Sequence, residues 1–211
     1  MSDWKLVVGV LGGSLLLIAL AAFGLSKMAS GESGLEVSVE KLVEGAEWID
    51  GDESVKVTVV EFACLQCSAC RAADPISIKL RQMEGVRYVW RYFPLTATHK
   101  NALVAAKAAE AAYKLDKGWE MADLLFEKQS EWSDKDDFFG LAVSYASDLG
   151  LDGDSFTQMY NSAEVEEQIG KDRALVGRLK IKGTPTFFVN GKLTASSFVI
   201  SEVEKLLSES E

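Results

Sequence analysis

Histidine occurs once in this 211-residue chain, at His99, and cysteine and proline occur only three times each. With one imidazole, zinc would have to complete a tetrahedral set from His99 or a carboxylate, and a Cys-His hydrolase would have His99 as its sole base. All three cysteines fall between residues 64 and 70, so no second cysteine group exists to build a larger metal or cluster site. Basic residues are also in deficit, 22 against 32 acidic ones, giving a formal charge of −10. The acidic excess lies after residue 28, because residues 1–28 carry Lys5 and Lys27 against Asp3. Nucleic-acid binding is disfavoured by this balance, and the acidic clusters read as solvated helix faces that aid solubility. No internal repeat and no low-complexity tract is present.

One long apolar run is present. Residues 6–25 are uncharged and flanked by Lys5 and Lys27. At about 1.5 Å per residue such a helix spans a hydrocarbon core of about 30 Å. A cleaved signal has a shorter apolar region followed by a small-residue site, and Ala19-Leu20-Ala21 supplies only part of that pattern. Residues 1–28 are therefore read as a membrane anchor, with a cleaved signal as the alternative. Residues 29–34 switch to Ser, Gly and Glu and read as a flexible tether, and residues 35–48 resume apolar spacing suited to an edge strand and a short helix. About 180 residues remain, enough for one domain with an insertion and a core that needs no structural disulfide.

Residues 55–62 are β-branched, mostly apolar and preceded by Asp50-Gly51-Asp52, which predicts a buried strand. Cys67-Ser68-Ala69-Cys70 follows and opens a helical stripe of Ile76, Leu80 and Met83. A cysteine at a helix N-terminus meets unpaired N–H groups and the positive end of the helix dipole, which favour the thiolate and lower the thiol pKa to between about 3.5 and 7.5. Pro75 either starts the helix after an Asp74 cap or kinks a continuous one. Residues 86–93 alternate Val86, Tyr88, Trp90 and Tyr92 against Arg87 and Arg91, predicting a second strand and a βαβ unit around the cysteines. Helical spacing covers 101–115, 119–129, 136–149, 154–161 and 163–180. Residues 186–189 and 192–195 form a hairpin around Asn190-Gly191, and Ser201-x-x-Glu204 reads as a capping box for a last helix.

Several residues carry more than one reading. Cys64-x-x-Cys67-x-x-Cys70 followed by Asp74-Pro75 has the spacing of a bacterial iron–sulfur site, although an aspartate is an uncommon fourth ligand. On spacing alone either cysteine pair qualifies as a dithiol. Glu61 lies in an apolar strand, which predicts burial and a raised pKa; the bland alternative is a solvated edge carboxylate. His99 either tunes a thiolate or caps a helix. Trp48, Trp90, Trp119 and Trp132 read as core or rim aromatics.

Taken together, Val60-Glu61-Phe62, the Cys67/Cys70 pair, Phe93-Pro94-Leu95 with His99-Lys100-Asn101-Ala102, the alanine-rich middle and Gly183-Thr184-Pro185-Thr186-Phe187-Phe188-Val189-Asn190-Gly191 resemble the DsbA-like branch of the thioredoxin superfamily. The resemblance implies an α/β thioredoxin fold with an inserted helical domain, preceded by an N-terminal transmembrane helix. Its parts would be 29–54 as tether and N-terminal extension, 55–97 and 181–211 as the two halves of the thioredoxin fold, and 98–180 as the helical insertion. It further implies Cys67 as the exposed attacking thiol, Cys70 as its buried partner, and Glu61 as the carboxyl that handles the proton of Cys70. Thr184-Pro185 would carry a cis peptide bond facing the dithiol and leave the Thr184 backbone to pair with an extended substrate. The implied activity is thiol-disulfide exchange on exported cysteine-containing proteins. Reoxidation would come from a membrane quinone-linked oxidase, with no bound cofactor, and the catalytic domain would lie on the extracytoplasmic side. A reductase or isomerase of the same fold, and a redox-inactive or metal-binding module using Cys64, Cys67 and Cys70, are the alternatives. Two departures stand out: Ser68 and Ala69 replace the proline, aromatic or histidine that many members carry between the cysteines, and Cys64 stands where a non-thiol residue is more usual.

Overall fold

The computed structural model describes residues 32–209; the apolar run at 6–25 lies outside them. Among the described residues no helix is long and apolar enough to cross a membrane. Six strands form one sheet: β1 (Glu32–Glu36), β2 (Ile49–Asp50), β3 (Val57–Ala63), β4 (Val86–Tyr92), β5 (Thr186–Val189) and β6 (Lys192–Thr194), in the order β1-β6-β5-β3-β4-β2. β3 and β4 are parallel and every other pair is antiparallel. The run of β-branched residues makes β3 the interior strand, and all seven of its residues are buried.

The parallel pair requires a crossover, supplied by α2 (Ser68–Gln82) after the short α1 (Val39–Val43). Pro75 lies inside α2, which continues through it as a single helix. Between β4 and β5 come six helices: α3 (Ala102–Tyr113), α4 (Gly118–Glu127), α5 (Gln129–Trp132), α6 (Phe138–Asp148), α7 (Gly153–Tyr160) and α8 (Ala163–Leu179). A final helix, α9 (Val199–Ser208), follows the hairpin.

Strand alternation divides the core between the two faces of the sheet. Val57, Val59, Ala63, Tyr88, Trp90 and Phe187 pack with α2, α9 and most of the helical segment. Val60, Phe62, Val89 and Phe188 pack with Leu42 of α1 and with Leu175 and Val176 of α8. Thus the last helix of the 98–180 stretch closes one face of the sheet, while α3 to α7 extend the other. The alanines of α3 are buried almost throughout, but the helix also buries Glu110, which accepts a 2.7 Å hydrogen bond from Trp48 Nε1. Trp48 stacks on Tyr113, with ring centroids 4.7 Å apart, and meets Trp119 edge-on.

Two local expectations change. Residues 32–34, read as tether, belong to β1, which pairs with β6; Val37 N–H donates to Gly191 O at 2.8 Å. Backbone pairing with a distant hairpin overrides the flexible composition. At that hairpin Asn190 and Gly191 both have positive φ, as a two-residue primed turn requires, and a Cβ on Gly191 would lie 2.3 Å from Val37 O. The capping box at Ser201 is not used: α9 starts at Val199 behind a 3-10 turn, and Ser201 Oγ donates to Phe198 O.

Arg91 alternates with the aromatics of β4 as expected and points into the α1/α8 face, where it is fully buried. Its guanidinium donates to Leu42 O and Glu44 O and pairs with Asp172 at 2.8 Å. Burial nevertheless pushes the Asp172 carboxyl up to about 6, against the pull of Arg91. Asp172 also accepts the Tyr92 backbone N–H at 2.9 Å. Removing one partner leaves an unpaired buried charge, at a cost of about 3–5 kcal/mol. Asp172→Ala should therefore lower the unfolding free energy in urea by that amount, whereas Arg91→Met combined with Asp172→Leu should cost clearly less.

Candidate active site

At the end of β3 the chain makes one turn, in which Cys67 N–H donates to Cys64 O at 2.9 Å, and then enters α2. Cys67 is the N-cap of that helix, with extended backbone (φ −78°, ψ 123°). Of the three free cysteines, Cys67 keeps 9% of its surface, Cys64 1% and Cys70 none. Cys67 is therefore the most accessible sulfur, though far less exposed than the expected attacking thiol.

The Thr184-Pro185 peptide bond is cis. A left-handed Lys180 (φ 55°) ends α8 and turns the chain toward this segment. Cys67 Sγ reaches the Thr184 carbonyl at 3.6 Å, so in the free-thiol state that backbone acceptor is engaged by the cysteine itself. The Thr184 hydroxyl is buried without a hydrogen-bond partner, and its effect on Cys67 is to favour the ionised sulfur.

Electrostatically, the two sulfurs of the pair are driven apart. The Cys70 thiol hydrogen bond chiefly stabilises the Cys67 thiolate, and Thr184 and the N–H groups of Cys70 and Ala69 add to it; these outweigh burial and bring Cys67 down to about 4. The same hydrogen bond, together with burial, pushes Cys70 far above its ordinary value. Cys64 is also raised, mainly by burial. The arrangement thus offers one stable thiolate and two protonated thiols.

Glu61 lies on the α2 side of β3 and is 1% exposed. Its carboxyl accepts hydrogen bonds from Ser77 Oγ (2.5 Å) and from Tyr88 OH. Burial outweighs both bonds and raises its pKa to about 7. Among the described residues no hydrogen bond joins it to a cysteine; its charge acts on Cys70 by raising that thiol further. Tyr88 and Ser77, which orient the carboxyl, were not singled out from sequence because their registers on β4 and α2 become meaningful only once both pack over Glu61.

A second group missed from sequence is a set of amides that fixes the cysteine loop. Gln129 Nε2 donates to Leu65 O (2.7 Å) and Cys67 O (3.1 Å). Gln66 donates to Ser133 O and accepts the Asn101 N–H, both at 2.7 Å. Asn101 Nδ2 in turn donates to Trp132 O and Lys135 O. His99 meets Cys64, with Nδ1 3.5 Å from Sγ. Asp74 is placed on α2, and among the described residues no group of three or more His, Cys, Asp or Glu side chains is arranged to hold a metal ion.

Comparison with known proteins places this geometry. Residues 44–209 match the family model described as Thioredoxin. The DsbA-type thiol-disulfide exchange protein alpha-DsbA2 of Wolbachia pipientis superposes with a TM-score of 0.68 at 23% identity, covering 79% of this chain and 90% of that one. A thioredoxin-like oxidoreductase of Silicibacter pomeroyi gives 0.66 at 25% identity, with 82% and 98% coverage. Among curated sequences, the Na(+)/H(+) antiporter NhaA 3 of Salinispora tropica is 39% identical over 145 residues, 68% of this chain but 22% of the antiporter. Across such relatives the chain spans 22% to 30% of their length.

Two titrations test the electrostatics. In the reduced protein, ultraviolet thiolate absorbance should show one cysteine ionising near pH 4, lost in Cys67→Ser and moved upward in Thr184→Val. Because this folded pKa is depressed below an unfolded value of about 8.5, the thiolate stabilises the reduced fold above that pH. The gain is lost as pH falls toward about 4, and the disulfide form should lack this dependence.

Glu61 has the opposite sign. Its folded pKa is raised to about 7, so stability present below about pH 4 is lost as pH rises through 7. Glu61→Gln should leave stability near pH 4 almost unchanged and raise it at pH 8 by roughly 3 kcal/mol. A flat difference between the two proteins across that range would rule out a buried titrating carboxyl.

Proposed function

The chain belongs to the thioredoxin family, and from that premise we propose that it is a thiol-disulfide oxidoreductase that introduces disulfides into exported proteins. The observation that carries this reading is the Cys67 thiolate at the N-cap of α2, held at about 4 beside a protonated Cys70 and the Thr184-Pro185 segment. In the oxidised enzyme a substrate thiolate attacks Cys67 Sγ. The Cys67–Cys70 bond breaks, Cys70 leaves and takes up a proton, and a mixed disulfide remains on Cys67. A second substrate thiolate then attacks the substrate sulfur of that bond and expels Cys67 as a thiolate. The substrate has lost two electrons and the enzyme dithiol has gained them.

The direction follows from the leaving group. A sulfur that is ionised down to about pH 4 departs readily, and its stability lowers the energy of the reduced enzyme relative to the disulfide. Glu61, 16 residues before the Ser77 that orients it, supplies a carboxyl that titrates near neutrality beneath Cys70 and so suits proton uptake and release there.

Membrane tethering through residues 6–25, a catalytic domain on the extracytoplasmic side and reoxidation by a membrane quinone-linked oxidase complete the proposal. The uncharged 6–25 run and the need for an oxidising compartment support them. Antiport belongs to the curated relatives and is not assigned to this chain.

Equilibration with glutathione should give a reduction potential nearer the about −120 mV of a strong oxidant than the about −270 mV of thioredoxin. A value at or below the latter would favour the reductase alternative. In cells, the full-length protein carrying Cys70→Ala together with Cys64→Ser should accumulate reducible adducts with exported cysteine-containing proteins in carbonate-washed membranes, and adding Cys67→Ser should abolish them. Adducts that persist without Cys67 would overturn the assignment of the attacking sulfur, and recovery in the soluble fraction would overturn the tether.

A further inference from the structure

The exchange just described leaves two groups unused, Cys64 and the chain's single histidine, and the fold sets them side by side. Cys64-Leu65-Gln66-Cys67 is a β-turn closed by the 2.9 Å bond from Cys67 N–H to Cys64 O. The first and last Cα atoms of such a turn lie within about 7 Å, which overlaps the range of about 4.4–6.8 Å found across disulfides. Cys67 therefore has a cysteine at a backbone separation that a disulfide can span three residues before it as well as three after it. The grouping is tight, since the Cys64 N–H lies 3.4 Å from Cys70 Sγ.

Cys64 is buried, and burial keeps its sulfur protonated, so it is inert as a nucleophile without a base. The base is present: His99 Nδ1 lies 3.5 Å from Cys64 Sγ, with its backbone fixed by a 2.9 Å hydrogen bond to Leu95 O. Pairing of a thiol with an imidazole in reach is the usual means of activating such a sulfur. His99 is placed to act on Cys64.

We propose that Cys64 is a second resolving thiol for Cys67, with His99 as its base; the inference rests on Cys67 being the exchanging sulfur. His99 Nδ1 takes the Cys64 proton, and the Cys64 sulfur attacks Cys67 Sγ in the mixed disulfide. The Cys64–Cys67 bond forms, the bond from Cys67 to substrate breaks, and the substrate sulfur leaves with the electron pair and accepts the proton from the imidazolium. The substrate cysteine is reduced and the Cys64/Cys67 pair is oxidised. Acting on the Cys67–Cys70 disulfide, the same attack exchanges partners, releasing Cys70 to take the proton with no net change in oxidation level. This gives the enzyme a route for discarding a substrate that cannot supply a second thiol, even with Cys70 unavailable.

The test uses the full chain with oxidised glutathione as probe. In Cys70→Ala, mass spectrometry should show glutathione adding to Cys67 and then leaving as the Cys64–Cys67 disulfide forms. In Cys70→Ala with Cys64→Ser the adduct should persist. His99→Ala in the Cys70→Ala background should slow closure on the order of 100-fold, while the alkylation rate of Cys67 reports that the fold and its thiolate are intact. An adduct on Cys67 that persists equally with and without Cys64 would overturn the proposal and leave the oxidoreductase reading standing. Closure at an undiminished rate in His99→Ala would overturn the role of the imidazole. Failure of glutathione to add to Cys67 in any variant would instead overturn the underlying reading.

Discussion

The stabilised negative charge on Cys67 is the interaction on which the rest of the site depends, and it is a consequence of where β3 ends. A fully buried parallel strand must cross over through a helix, and a one-turn connection puts the next residue at that helix's N-cap, where backbone N–H groups have no intrahelical acceptor. The N–H groups of Ala69 and Cys70 face the sulfur there, and the Cys70 thiol adds a side-chain donor. A short polar residue at this position would act as an ordinary cap. Cysteine converts the same unsatisfied donors into a sink for a thiolate. The helix start and the reactive sulfur are therefore one feature.

The charge has consequences below it. Since Cys70 donates to Cys67, its own ionisation is opposed, and the carboxyl of Glu61 beneath opposes it further. A buried Glu61 held by Ser77 and Tyr88 sits near its midpoint at neutral pH, so it can carry a proton or a charge with little energetic penalty. Its burial costs stability, which the sheet supplies through the packing of Val59, Ala63 and Phe187 around it. The same fold tolerates a second buried ionic pair, Arg91 with Asp172, on the opposite face. That pair does different work: by binding Leu42 O, Glu44 O and Tyr92 N–H it joins α1, α8 and β4.

What could be read from sequence was what local chemistry determines. The β-branched run gave β3, Asn190-Gly191 specified its own turn, and alternation in β4 placed its aromatics on one face. Burial of Glu61 followed from an acidic residue set in an apolar strand. Features that depend on distant partners were not legible. Residues 32–34 look flexible until β6 offers a backbone ladder, the ion pair of Arg91 has no sign until α8 brings Asp172, and Ser201 looks like a cap until the preceding 3-10 turn moves the helix start. The amides of Gln66, Asn101 and Gln129 belong to the same class. Each is an unremarkable polar residue, and only the approach of the helical segment gives it a carbonyl to bind.

Those amides explain why a helical segment accompanies the dithiol at all. The loop from Cys64 to Cys67 has few internal hydrogen bonds, and a thiolate stabilised by directional N–H donors is sensitive to small rotations of that loop. Gln129 binds the carbonyls on both sides of Gln66, and Gln66 and Asn101 bind each other and the Trp132–Lys135 turn. The helical segment thereby holds the sulfur to its donors from outside the sheet. Because about 30 mV of potential corresponds to about 1.4 kcal/mol in this two-electron couple, a contact that shifts thiolate stability by the strength of a single hydrogen bond moves the potential by a comparable step. Redox strength in this protein is then set jointly by the residues at the sulfur and by a support that reaches it through three side-chain amides.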